Sequence, residues 1–145
     1  MKFAIGSDHR GYNLKENIKE YLKLQKYSFK DVGTDSTTSV DYPDYAQKVG
    51  NLVSERKVNY GILICGSGIG VSIAANKIRN IRAVNATSPE IADMSRRHNN
   101  ANIICFGADF IDIVKAEEYL NIFINTPFEG GERHERRIQK INDIK

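Results

Sequence analysis

The sequence predicts an α/β fold in which a parallel sheet is covered on both faces. Two observations carry that reading. Short apolar runs bounded by turn formers alternate five times with stretches of helical periodicity, the pattern of βαβ units. Runs such as Gly61-Ile62-Leu63-Ile64 are apolar throughout, which suits strands buried on both sides. Right-handed crossovers then give a single Rossmann-like three-layer α/β/α sandwich with a five-stranded parallel sheet and a C-terminal helix.

The elements follow in order. Phe3 to Gly6 reads as the first strand. Leu14, Ile18, Tyr21 and Leu22 recur at three- and four-residue spacing, so residues 11–25 read as an amphipathic helix. Tyr27 to Val32 is a short second strand, followed by the polar loop GTDSTTSVDYPD. Tyr45, Val49 and Leu52 mark the next helix, and Tyr60 to Ile64 the third strand. Gly66-Ser67-Gly68-Ile69-Gly70 opens a helix expected to run to about residue 79. Arg82 to Ala86 is the fourth strand. Ser88-Pro89-Glu90 starts a helix ending at His98, with an N-cap hydroxyl, a proline at the first helical position and an acid at the positive end. Asn102 to Gly107 is the fifth strand, residues 111–125 are helical, and Glu132 to Ile144 form the last helix.

A chain of 145 residues suits one domain with a real core. Its 41% hydrophobic and 27% charged content is that of a globular protein, and no apolar run nears the roughly 20 residues of a membrane span. The N-terminus turns polar after a short apolar stretch, which reads as a strand and not as a signal peptide. Two cysteines are too few for a disulfide framework, so reduced thiols in the cytoplasm are expected. A net charge of +3 tolerates a small anionic ligand but does not point to nucleic acid.

Ligands of such sheets bind where the strands end, near the reversal of strand order. Asp8-His9-Arg10-Gly11 follows the first strand, Cys65 and the glycine loop the third, Thr87-Ser88 the fourth, and Gly107-Ala108-Asp109 the fifth. Cys65 stands at a strand-to-helix junction, where amides and the helix N-terminus favour a thiolate. Cys105 lies inside an apolar strand and reads as core. The loop is a poor dinucleotide site, because Val71 takes the third-glycine place and the loop follows the third strand. A Cys-dependent phosphatase fares no better, since it needs an arginine at Val71. His98 ends a helix, which favours imidazolium and hence proton donation, although a plain C-cap histidine reads the same way. Arg133 and Arg137 share a helix face and suit a phosphate; Arg136 and Lys140 share another, and a solvated basic helix explains both pairs equally. The spacing of His9, His98 and His134 matches no zinc pattern, so no metal is expected.

Five segments together, IGSDHRG at 5–11, VDYPDYA at 40–46, ILICGSGIGVSIAANKIRNIRA at 62–83, SRRHNNANIICFGA at 95–108 and RHERRIQKI at 133–141, resemble the ribose-5-phosphate isomerase B and galactose-6-phosphate isomerase family along nearly the whole chain. The resemblance implies one sugar-phosphate isomerase domain over residues 1–145, without metal or organic cofactor. It implies Cys65 as the catalytic base, with the amides of Gly66, Gly68, Ile69 and Gly70 and the Ser67 hydroxyl on the enediolate oxygen. His98 then opens the furanose ring, Asp8 and Asn99 contact sugar hydroxyls, and His9, Arg133 and Arg137 bind phosphate, with Asp41 and Tyr42 lining the site.

Relatives commonly carry arginine where this chain has Asp109, which raises the question whether Asp109 points away, whether another cation such as Arg10 or Arg96 compensates, or whether substrate binds more weakly. The resemblance further implies a cytoplasmic homodimer whose His98–Asn99 segment meets the partner's Cys65 loop, with pairing into a tetramer left open. Its partner is a phosphorylated pentose of the non-oxidative pentose phosphate branch, with no nucleic acid and no membrane. A six-carbon sugar-phosphate isomerase and a non-catalytic phosphosugar-binding protein are the alternatives.

Overall fold

In the computed structural model, which describes residues 1–144, eleven elements alternate along the chain. The strands are β1 (Lys2–Ser7), β2 (Ser28–Asp31), β3 (Tyr60–Cys65), β4 (Ala83–Asn85) and β5 (Ile103–Gly107). The helices are α1 (Tyr12–Leu24), α2 (Tyr42–Ser54), α3 (Ile69–Ala75), α4 (Pro89–Asn99), α5 (Ile113–Asn125) and α6 (Glu132–Asn142). All strand pairs are parallel, in the order β2-β1-β3-β5-β4, so the predicted sandwich is the one observed.

Strand alternation sorts the core into two halves. Ile62, Ile64, Ile104 and Phe106 face α1, α4 and α5, together with Phe3, Leu120 and Phe123. Leu63, Cys65, Ile103 and Cys105 face α2 and α3, with Val49, Val71 and Ala75. Large side chains buried this completely contribute about 1.5–3 kcal/mol each. The order of strands reverses between β1 and β3, which creates the crevice expected to hold ligand.

Three predicted boundaries shift. The helix expected to reach residue 79 stops at Ala75. There the Asn76 side chain pairs with both backbone groups of Ala83, at 2.8 and 2.9 Å, turning the chain toward β4. The fourth strand is three residues instead of five; at its start the Arg82 N–H donates to the Asn102 side chain at 2.9 Å instead of a strand carbonyl. The last helix ends at Asn142 and not at Ile144.

Candidate active site

The carboxyl edge of the sheet holds the first group of predicted residues. Cys65 closes β3 and is only 4% exposed. The Gly68 N–H donates to its sulfur at 3.2 Å, and the Ile69 N–H donates to the Ser67 hydroxyl at 3.2 Å. Gly68 has φ +77°, and a Cβ there would run into the Asn85 side chain, so only glycine fits this turn. Gly70 lies under the Tyr42 ring, where a Cβ would stand 2.5 Å from Cζ. Tyr42 is thereby brought from the start of α2 to the N-terminus of α3, beside exposed Asp41.

The loop after β1 adjoins the glycine loop across the β1–β3 reversal. Asp8 is buried, and its Oδ1 accepts the N–H groups of Arg10 and Gly11, both at 3.0 Å. These two bonds fix the turn through one carboxylate oxygen and leave the second out of it. His9 Nδ1 accepts the Val40 N–H at 3.2 Å, so in the neutral ring the proton sits on Nε2, ready to donate. The Asp109 carboxylate turns to Arg10, taking its Nη2 at 2.6 Å, and the pair lies directly over Gly66. Arg96 plays no part, being buried and bonded to the Ala101 carbonyl and, at 3.0 Å, to the Tyr60 hydroxyl.

Sequence reasoning missed Asn85. It ends β4, donates to the Ser67 carbonyl at 3.2 Å, and leaves Oδ1 buried without a partner against the Gly68 turn. The only signal was a polar residue closing a short apolar strand. Cys105 is buried as expected, and burial, with Cys65 nearby, pushes its thiol far above the ordinary range.

His98, Asn99, Arg133 and Arg137 lie elsewhere. From Ser88 at the carboxyl edge, α4 runs back to the amino edge, where Arg82 Nε binds the Asn99 carbonyl at 2.9 Å just before β4 begins. A six-residue strand is about 17 Å long, so roughly that distance separates these residues from Cys65 within one chain. Here α6 lies alongside α4, with Arg82 Nη1 reaching Asn142 Oδ1 at 3.3 Å. Arg133 and Arg137 are exposed, and neither has a salt bridge among the described residues. The His98 ring stacks on His134 at 4.8 Å and 7°. Partial burial, His98 and Arg133 together hold the His134 imidazole below its ordinary pKa, against the pull of Glu129.

Comparison with known proteins decides the family. The sequence profile described as Ribose/Galactose Isomerase matches residues 3–141. The chain belongs to this family. Ribose-5-phosphate isomerase B of Escherichia coli is 41% identical over 143 residues, covering 99% of this chain and 95% of that protein. The crystal structure of a ribose 5-phosphate isomerase from Thermotoga maritima superposes with a TM-score of 0.96 at 47% identity, covering 99% and 98% of the two chains. Ribose-5-phosphate isomerase B from Mycoplasma genitalium, solved with bound ribulose-5-phosphate, gives a TM-score of 0.92 at 38% identity, with 97% and 93% covered. As a member of the family the chain is an isomerase. None of the helices among the described residues is long and apolar enough to cross a membrane.

Proposed function

We propose that residues 1–145 form one isomerase domain that interconverts D-ribose 5-phosphate and D-ribulose 5-phosphate in the cytoplasm, within the non-oxidative pentose phosphate branch. The observation that carries this reading is the Cys65 sulfur at the strand-order reversal, with the Gly68 N–H aimed at it. As thiolate, Cys65 takes the proton from carbon 2 of the open-chain aldose and returns it to carbon 1, while a hydroxyl proton passes from oxygen 2 to oxygen 1. The negative charge that develops on oxygen is held by the amides of Gly66 to Gly70 and the Ser67 hydroxyl. Each such donor is worth about 10²–10³ in rate. A base and fixed donors suffice for this shuttle, so it needs neither metal nor organic cofactor. Asp8 and Asn99 orient hydroxyls, Asp41 and Tyr42 close the side, and His9 Nε2–H, Arg133 and Arg137 bind the phosphate.

His98 protonates the ring oxygen as the furanose opens. Because His98 lies about a strand's length from its own Cys65, the working site takes Cys65 from one chain and His98, Asn99, Arg133 and Arg137 from a partner copy. A homodimer follows, open to pairing into a tetramer. Ile69 and Ile73, on one face of α3 beside the Cys65 loop, are 55% and 57% exposed and offer an apolar surface for that contact.

Mixing Cys65→Ala chains with His98→Asn chains tests the arrangement. Each hybrid dimer regains one intact site, so random pairing restores about a quarter of wild-type turnover. No recovery would place both groups of one site on the same chain. Assaying ribose 5-phosphate against galactose 6-phosphate tests the substrate: turnover of the hexose alone would assign the six-carbon reaction. Equal background rates for wild type and Cys65→Ala would leave only a phosphosugar-binding protein.

A further inference from the structure

Three donor side chains converge where α4 ends and α6 begins. The His98 and His134 Nε2 atoms stand 3.9 and 3.7 Å from the same oxygen, Oε2 of Glu129, and the three donor atoms all lie within 4.8 Å of one another. The second Glu129 oxygen takes Arg97 Nη1 at 3.4 Å, and the Glu129 N–H bonds the Arg97 carbonyl at 3.0 Å, so the carboxylate is anchored with one oxygen turned to the imidazoles. His134 is largely covered, its side chain 12% exposed, while His98 and Glu129 remain accessible at 34% and 50%.

We infer that His98, Glu129 and His134 form a binding site for a divalent transition metal of the zinc type. Two imidazoles and one carboxylate are a donor set that Zn²⁺ accepts, leaving a fourth position for water. Donors around a tetrahedral Zn²⁺ stand about 3.3 Å apart at bond lengths of about 2.0–2.2 Å. Reaching that spacing takes a few tenths of an ångström to about 1.5 Å, and because imidazole lone pairs lie in the ring plane, one of the two rings must also turn out of the near-parallel stack, a side-chain rotation open to the accessible His98. Arg97, Arg133 and Arg137 are nearby cations that oppose a metal ion, so the site suits reversible occupation by available metal in place of a permanent structural ion. The set is invisible in the sequence because Glu129 comes from the connection between α5 and α6. Resting on the role proposed for His98, the metal is an inhibitor: it occupies the lone pair His98 needs for proton transfer and competes with substrate.

The test titrates the full-length wild-type protein with Zn²⁺ against a chromophoric chelator, and with Co²⁺ followed by its visible spectrum. One ion per chain is expected, with a Co²⁺ spectrum lacking thiolate charge-transfer absorption, which excludes Cys65 as ligand. Glu129→Gln and His134→Ala should each weaken Zn²⁺ binding at least tenfold. Glu129→Gln should keep its metal-free turnover and lose sensitivity to Zn²⁺ by the same factor. Wild-type affinity in both variants, or a thiolate band with Co²⁺, overturns the site. Because binding is read without substrate, it stands or falls separately from the sugar reaction. Zn²⁺ binding that leaves turnover unchanged would overturn the inhibitory role alone.

Discussion

At the carboxyl edge, Cys65 ends the central strand β3, and the residues around it are locked by the main chain: Asp8 by two N–H groups, Ser67 by Ile69 and Asn85, Gly68 by its positive φ. At the amino edge, Arg133 and Arg137 ride on a helix with no fully buried residue, next to half-exposed His98. The first group is preorganised by the sheet, as the base and oxyanion donors of the proposed reaction would have to be, because small misplacements there would cost rate directly. The second is a set of long cations and rings that can be presented to another chain, where phosphate binding tolerates adjustment. The proposed reaction thus assigns its chemistry to the rigid edge and capture of the substrate's charged end to the adaptable one.

That contrast makes the expected effects unequal. Replacing Cys65 with alanine should lower turnover by about 10³ or more without altering stability much, since the site loses its base; steady-state rates and thermal melts together check this. Gly68→Ala should cost about 10²–10³ in turnover by displacing the turn whose N–H meets the sulfur, with a smaller change in KM. If it acts on KM alone, the carboxyl edge is not the preorganised half. Arg137→Ala, in contrast, should raise KM for the sugar phosphate by about 10- to 100-fold, the worth of a hydrogen bond to a charged group, and change stability little because the residue is exposed. A large loss of stability would contradict the picture of α6 as a presenting surface.

The smallest effect on turnover is expected from the bracing beneath the carboxyl edge. Lys15 is buried, with its ammonium 2.6 Å from Asp31 and 2.9 Å from Glu16, and Lys19 reaches the same two carboxylates. Burial pushes Asp31 upward, but hydrogen bonds from Lys15, Lys19 and the Gly33 N–H outweigh it and hold its carboxyl below the usual range. A folded-state pKa below the unfolded one adds stability that is complete above pH of about 4 and is lost as pH falls through the folded value. Asp31→Asn should cost about 1.5–3 kcal/mol near neutral pH, the worth of a hydrogen bond to a charged group, since Lys15 loses one carboxylate and keeps Glu16. It should also flatten the acid limb of the stability curve, as urea unfolding between pH 2 and 7 would show.

Much of the carboxyl edge was legible because its signals are contiguous. Cys65 and its glycines occupy one turn, and Asp8, His9 and Arg10 another, so strand-end logic finds them without knowing the fold. Asn85 was not legible, since its role depends on β4 pairing with β5 and bringing its amide to Ser67. The end of α3 was misread because apolar periodicity continues through Ile78, while the stop is made by Asn76 bonding seven residues ahead to Ala83.

By itself the sequence determined the order of elements, the parallel sheet and the residues that end each strand, because hydrophobic periodicity and turn chemistry act over a few residues. Only the tertiary structure decided that His98 lies on the opposite edge from Cys65, that Arg10 takes up Asp109, and that Glu129 joins two histidines. Those outcomes depend on the direction in which each crossover returns, and on ion pairs between residues as far apart as 10 and 109, which no local pattern encodes.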